Sequence, residues 1–419
     1  MAAMTIERRT LLGGAAFAAV AGAQQNASRD KLNIAGVGIG AMGGGYLREC
    51  ESENIVALAD VDDVYAAKTF ARYPNAARYR DWRKLLEREK AIDAVIIGTP
   101  DHTHAQIALA AIELGKHVYC AKPMTRTIEE ARAVAKAARE KKVATQMSVQ
   151  SCASEEACQT EEWVRSGIIG KVREVHTWSD RPVWPQGLPR PEQAVAPPDT
   201  FDWDLWLGGA PKRPFHPVYH PFNWRGWYDF GTGALGDMGC HTLHIIFRAL
   251  ELPPPVSASA SSNFIMVPAP SDQADQPWMR SRTLKTPETF PHAAAVTWDF
   301  PGGVRVFWYD GGLKPPRPPQ LDPEAELPRT GLLFLGEKGA LLSGFAGGRV
   351  RLLPESKHRD MPPPAKTIAR SIGHYKEWID AAKGGPAPNC NFQFGALITE
   401  TALLGVEAIR TGKTVRWHA

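Results

Sequence analysis

Asp237 and His241 stand four residues apart in the run from Asp229 to His241, DFGTGALGDMGCH, a spacing that puts a carboxylate and an imidazole on one face of a helix opening after Gly236. A carboxylate so placed can orient the imidazole, and an oriented imidazole is a good general base. Glycines at 231, 233, 236 and 239 allow tight turns and close approach of backbone to a ligand. Trp224, Arg225 and Trp227 just upstream, with Trp184 further back, are expected to contact substrate, the indoles as flat apolar faces on which sugar rings stack. The combination suits a polyhydroxylated substrate. Two other readings of these residues stand beside it. Asp237 could cap a helix whose His241 lies in the core, or Asp237, His241 and His244, with Cys240 beside them, could hold a metal. No second set of ligands at recognisable spacing occurs in the chain, so no metal is assigned.

Such a pair needs a reaction partner, and the N-terminal half supplies a candidate. From Lys31 the run LNIAGVGIGAMGGGYL passes from an apolar strand through glycines into a helix. Gly38, Gly40 and Gly43 form G-x-G-x-x-G directly after the strand, the context a dinucleotide fingerprint requires, with Ile39, Ala41 and Met42 completing the turn. A second strand, Ile55 to Ala59, ends in Asp60, 22 residues after Gly38, where a carboxylate accepts hydrogen bonds from the adenosine ribose. Asp62 is an alternative for that role. A carboxylate there repels a 2'-phosphate, so NAD is expected over NADP. The buried strand Ala94 to Ile97 breaks at Thr99-Pro100, and His104 follows in the next helix; all three are placed among the cofactor contacts. Another short strand ends in Ala121-Lys122-Pro123, where Lys122 can hydrogen-bond a substrate hydroxyl or the nicotinamide amide.

Taken together, Gly38 to Gly43, Asp60, TPDHTH, GKHVYCAKP and the Asp237/His241 pair resemble the Gfo/Idh/MocA family of sugar and inositol oxidoreductases. The resemblance runs over essentially the whole chain after its N-terminal segment, and especially to an exported subgroup sharing WPQGLPRP, FNWRGWYDFGTGALGDMGCH and YDGGLKPPRP. It implies a catalytic trio of Lys122, Asp237 and His241, with the histidine taking the hydroxyl proton as hydride passes to nicotinamide. Asp237 and His241 would also contact substrate. It implies an α/β fold: an N-terminal doubly wound parallel Rossmann sheet, then an α+β domain with an open-faced, mostly antiparallel sheet. One departure is visible. The family's E-K-P is here Ala121-Lys122-Pro123, so a negative charge beside the lysine is missing, which points toward an altered reaction.

Composition sets the frame. The chain has 419 residues and a formal charge of +4, with its 49 basic residues dispersed, which excludes nucleic acid as an expected partner. Arg8-Arg9 followed by the apolar run Leu11 to Ala21 reads as a twin-arginine signal, so a periplasmic, exported protein without a membrane span is expected. The expected division is a signal and linker over 1–27, the NAD-binding domain over 28–150 and a substrate and oligomerisation domain over 151–419, assembled as a homodimer or homotetramer. Six cysteines without a CxxC pair read as buried thiols. Outside the cytoplasm no free NAD pool exists, so the cofactor should be tightly held and recycled within each cycle. An NAD-dependent oxidoreductase on a sugar or glycoside hydroxyl is the leading expectation. A redox-neutral NAD-dependent glycoside hydrolase is its variant, and a non-catalytic sugar-binding protein is the rival from another class.

Overall fold

Two β-sheets organise the chain, and the computed structural model describes them through residues 31–268, 281–284 and 286–418. The expected signal segment lies outside the described residues. In the first half strands and helices alternate: β1 (Asn33–Val37), α1 (Ala41–Glu49), β2 (Asn54–Ala59), α2 (Ala67–Arg72), β3 (Ala77–Tyr79), α3 (Trp82–Arg88), β4 (Ala94–Ile97), α4 (Asp101–Glu113), β5 (His117–Cys120), α5 (Ile128–Lys141) and β6 (Thr145–Met147). All six strands are parallel, in the order β3-β2-β1-β4-β5-β6. Every position of β4 is buried and four of five in β1, as befits strands covered on both faces. The order reverses between β1 and β4, which opens a crevice at their carboxyl ends. Local chemistry starts the helices: Thr127 and Glu130 close a capping box on α5, and Asp81 caps α3.

The second half begins with α6 (Glu155–Arg165), β7 (Val172–Trp178), α7 (Trp203–Leu207) and α8 (Gly233–Leu250). There follow β8 (Ser257–Ser262), β9 (Ile265–Pro268), β10 (Ser281–Leu284), β11 (Ala294–Asp299), β12 (Arg305–Tyr309), β13 (Gly331–Gly336), β14 (Ala340–Ser343) and β15 (Arg351–Leu353). The chain finishes with α9 (Glu355–His358), α10 (His374–Ala382), α11 (Phe392–Thr411) and β16 (Val415–Arg416). Eight of these strands form one sheet, β15-β14-β13-β7-β12-β11-β8-β16, in which only β7 and β12 run parallel; β9 and β10 pair separately. The mostly antiparallel second sheet expected from the alternating runs is therefore present. β8, with the sequence SASASS, escapes that pattern because serine and alanine give little contrast between its faces.

Packing joins the two sheets. α11 lies on β8, β11 and β16 of the eight-stranded sheet and packs against α8 and α5, while α8 also packs against α6. By length and composition α11 could cross a membrane, yet 67% of its apolar stretch is buried inside the protein, so it reads as a core helix. α10 returns to the first sheet, where Trp378 is buried against Tyr119. A third packing unit is an aromatic cluster in 201–230, built on Trp203, Trp206, Tyr219, Trp227 and Phe230. Residues 199–227, called the strap below, carry most of this cluster and bond to the end of β2: Asp202 N donates to Val61 O at 2.9 Å.

Candidate active site

The fingerprint turn is shaped by what its glycines lack. Gly38 has φ of 72°, a conformation that disfavours a side chain, and a Cβ on Gly43 would run into the Gly38 carbonyl oxygen. α1 begins at Gly40 without a side-chain cap, which leaves first-turn amides for an anionic ligand. Asp60 stands at the end of β2, accepting N–H bonds from Ile39 at 2.8 Å, Gly40 at 3.2 Å and Asp62 at 3.0 Å. Burial raises its carboxyl to about 6, against the three amides that lower it. Three of its four lone-pair positions are thus used, leaving one for a ribose hydroxyl.

Gly38, Gly40, Ala41, Met42, Asp60, Thr99 and Pro100 line a cleft of about 320 Å³, faced by Trp206, His220, Phe222 and Arg225 from the strap. A glycine-rich turn, an uncapped helix start and a ribose acceptor together fit a dinucleotide. Two assignments from sequence change here. Ile39 takes part through its amide, since its side chain is buried at 1% exposure. His104 does not line the cleft: it is fully buried, its ring nitrogens 2.9 Å from Pro123 O and 2.7 Å from Thr99 O, and it pins two turns together. Asp62, the alternative ribose acceptor, is committed elsewhere, to the amides of Val64 and Tyr65 and to His220 Nε2 at 2.9 Å.

Where β5 ends, Lys122 reaches toward α8. Its Nζ donates to Asp237 Oδ1 at 2.7 Å and also to the Asp237 main-chain oxygen, while its own amide is held by Ser148 Oγ at 2.9 Å. Arg225 Nε donates to the same Oδ1 at 3.1 Å, its guanidinium stacked over Trp224 at 4.3 Å and Phe222 at 4.5 Å. Burial alone would raise the Asp237 carboxyl, but Lys122 and then Arg225 outweigh it and hold Asp237 well below the usual carboxylate range. One turn further along α8, burial first and the Lys122 charge second lower His241 to about 3. His241 is therefore a neutral imidazole at neutral pH, able to accept a proton.

Several expectations need correction at this point. α8 opens at Gly233, not after Gly236, so Asp237 lies inside the helix and is not its cap; Thr232 holds that position. Asp237 is bound to Lys122 and Arg225, and no hydrogen bond from it reaches His241 among the described residues; its influence there is electrostatic. The tryptophans do not offer open faces for sugar. Trp227 is 1% exposed in the aromatic cluster, Trp224 is 6% exposed and Trp184 4%, because burying indole area gains more than leaving it in water. Trp224 packs Arg225, which becomes the residue that shares Asp237 with the lysine. Asp101 was missed. It is buried at the start of α4, its Oδ2 accepting from Thr232 Oγ1 at 2.7 Å, and its place directly after Thr99-Pro100 was the available signal.

Comparison with known proteins follows the same division of the chain. Residues 32–149 match the Gfo/Idh/MocA oxidoreductase family, NAD-binding Rossmann fold, and residues 165–258 match that family's C-terminal alpha/beta domain. Levoglucosan dehydrogenase of Pseudarthrobacter phenanthrenivorans is 27% identical over 221 residues, 49% of this chain and 49% of that protein. Inositol 2-dehydrogenase 2 of Saccharopolyspora erythraea is 32% identical over 110 residues, 25% of this chain and 32% of that protein. The chain thus spans half or less of the length of these curated relatives. Among solved structures, the WlbA dehydrogenase from Bordetella pertussis in complex with NADH and UDP-GlcNAcA superimposes with a TM-score of 0.62 at 17% identity, covering 93% of this chain and 99% of that one. At that identity the likeness speaks to fold.

Proposed function

Because the chain belongs to the Gfo/Idh/MocA oxidoreductase family, we propose that it is an NAD-dependent enzyme oxidising a secondary hydroxyl of a sugar or glycoside. The observation that carries this reading is the convergence of Lys122 and Arg225 on Asp237, one turn from a neutral His241, beside the fingerprint cleft. Gly38 to Gly43, Asp60, Thr99 and Pro100 would hold the dinucleotide, which when bound supplies the hydride acceptor. Lys122 spends two of its three ammonium hydrogens on Asp237 and keeps one for the substrate oxygen. Lys122, Arg225 and Asp237 together carry one net positive charge, which favours oxygen as it gains negative charge. The hydroxyl proton goes to an unprotonated ring nitrogen of His241, which burial keeps available. Asp60 and Asp62, two carboxylates at the ribose end, favour NAD over a cofactor bearing a 2'-phosphate.

The finer reading is a redox-neutral glycoside cleavage by an exported enzyme. The substrate hydroxyl is oxidised, the aglycone eliminated, water added and the ketone reduced again, giving net hydrolysis. Ala121, where the family has glutamate, supports it, since Asp237 is then the one carboxylate bonded to Lys122 among the described residues. Incubating the purified protein, with no NAD added, with aryl glycosides of both anomers tests the choice. Aryl alcohol released with an unoxidised sugar is the expected result. A keto-sugar formed only with an added acceptor makes it a net dehydrogenase, and inactivity across sugars, glycosides and acceptors makes it a binding protein.

A further inference from the structure

The strap, residues 199–227, belongs by sequence to the second half yet is built into the nucleotide sheet. Asp63 N donates to Thr200 O at 3.0 Å and Asp202 N to Val61 O at 2.9 Å, so Phe201 bridges Asp62 in antiparallel fashion just past β2. Further along, His220 Nε2 meets Asp62 Oδ2 at 2.9 Å, its ring stacked on Phe201 with centroids 4.5 Å apart. The strap is no loose flap. Trp203 Nε1 donates to Arg213 O at 2.7 Å, Arg213 pairs with Asp229, and His102 Nε2 lies 3.0 Å from Trp206 O.

Five side-chain atoms of this segment are buried without a hydrogen bond among the described residues, and those of Arg213 and Trp227 lie away from the cleft. Trp206 Nε1 and His220 Nδ1 are buried without a hydrogen bond among the described residues, and both side chains line the cleft opposite the fingerprint turn. Asp62 Oδ2 is an acceptor, so His220 carries its proton on Nε2. Burial lowers the affinity of the ring for a second proton, so Nδ1 is a bare acceptor. An unmet donor and an unmet acceptor are costly inside a protein unless a ligand completes them. The adenosine half of a dinucleotide offers both complements: ribose hydroxyls that donate, and phosphate or adenine atoms that accept.

We infer that the strap is a fixed clasp on the adenosine half of the dinucleotide, in which His220 Nδ1 accepts a ribose hydroxyl, Trp206 Nε1 donates to the cofactor, and the Asp62–His220 contact is the latch that keeps the cofactor bound between turnovers. The inference rests on the dinucleotide reading above and adds cofactor-binding residues from outside the nucleotide half. The full-length protein, purified and desalted without added cofactor, should carry close to one nicotinamide dinucleotide per chain by chromatography of an acid extract. His220→Ala should lose it on desalting and release NADH, followed by fluorescence, about tenfold faster or more. Trp206→Phe, which removes the N–H together with the five-membered ring and keeps an aromatic face on Trp203, should show a smaller increase, and it decides the question alone if His220→Ala does not fold. Release from both folded variants at the wild-type rate overturns the clasp. A wild type that empties on desalting yet oxidises a sugar with added NAD overturns the clasp and leaves the dehydrogenase reading standing, whereas no NADH binding by any form removes both.

Discussion

Between residues 38 and 43 the wall of the cleft is largely backbone, with Ala41 and Met42 adding its side chains, whereas the facing wall, drawn from the strap, is mostly aromatic side chain. The first works by leaving atoms out, so that amides and a helix terminus come close to a ligand. The second works by volume, an apolar cluster that sets a few polar atoms in place. One consequence is a different tolerance to change. A wall of backbone cannot yield to an added methyl, while a wall of side chains yields to truncation at a cost set by the area lost. Joining them is the proposed catalytic cluster, with Lys122 from the nucleotide half and Arg225 from the strap both holding Asp237.

Breaking that junction should have the largest effect. His241→Ala is expected to lower kcat by about 10²–10⁴-fold with NADH binding intact, since the proton acceptor goes and both walls remain. Wild-type activity should show no loss of the acceptor near pH 6.5, because His241 is held near 3. A variant that keeps full kcat removes the assignment. The backbone wall is tested next by a pair. Gly43→Ala, whose methyl meets the Gly38 carbonyl oxygen, should cost about 3 kcal/mol and NADH affinity with it. Gly45→Ala in the same helix meets nothing nearer than the end of Arg48 at 3.6 Å and should gain about 0.5–1 kcal/mol. Equal melting shifts for the two would dissolve the contrast between the walls.

Truncation within the side-chain wall comes third. Trp227→Leu removes a ring that is 1% exposed and should cost about 2–3 kcal/mol in a denaturant titration while the protein still folds. The smallest effect belongs to Asp101, which ties α4 to Thr232 at the foot of α8. Burial holds Asp101 up at about 7, so the native chain keeps a proton that the unfolded chain, near 4, has shed. Its contribution to stability therefore declines as pH rises from about 4 to 7. Asp101→Asn, which still accepts from Thr232, should gain on the wild type by about 1 kcal/mol between pH 5 and 6. A constant difference across that range would mean that Asp101 does not titrate there.

The same contrast explains what could be read from the chain alone. Gly38, Gly40, Gly43, Asp60, Asp237 and His241 stood out because a turn or a helix fixes their roles by spacing, and spacing is visible in a sequence. Tertiary placement is not. Nothing between Thr200 and Trp227 has a period that announces a strap, and its tryptophans looked like platforms for sugar when most are core. The partner of Asp237 was misjudged for a related reason. Helical spacing offered His241, but Lys122 lies 115 residues away and carries a full charge, which a buried carboxylate needs more. His104 failed as a cofactor contact because a strand-end position does not say which way a side chain turns.

The strap also has a meaning in time. When synthesis has passed β6, ending at Met147, the parallel sheet is complete but its cleft has one wall, and the second arrives with residue 227, about 80 residues later. At roughly 5–20 residues per second this is an interval of about 4–16 s. Loading of the dinucleotide therefore belongs after the interval and not during it, and whichever compartment shelters the chain as it finishes folding decides which nucleotide pool it samples.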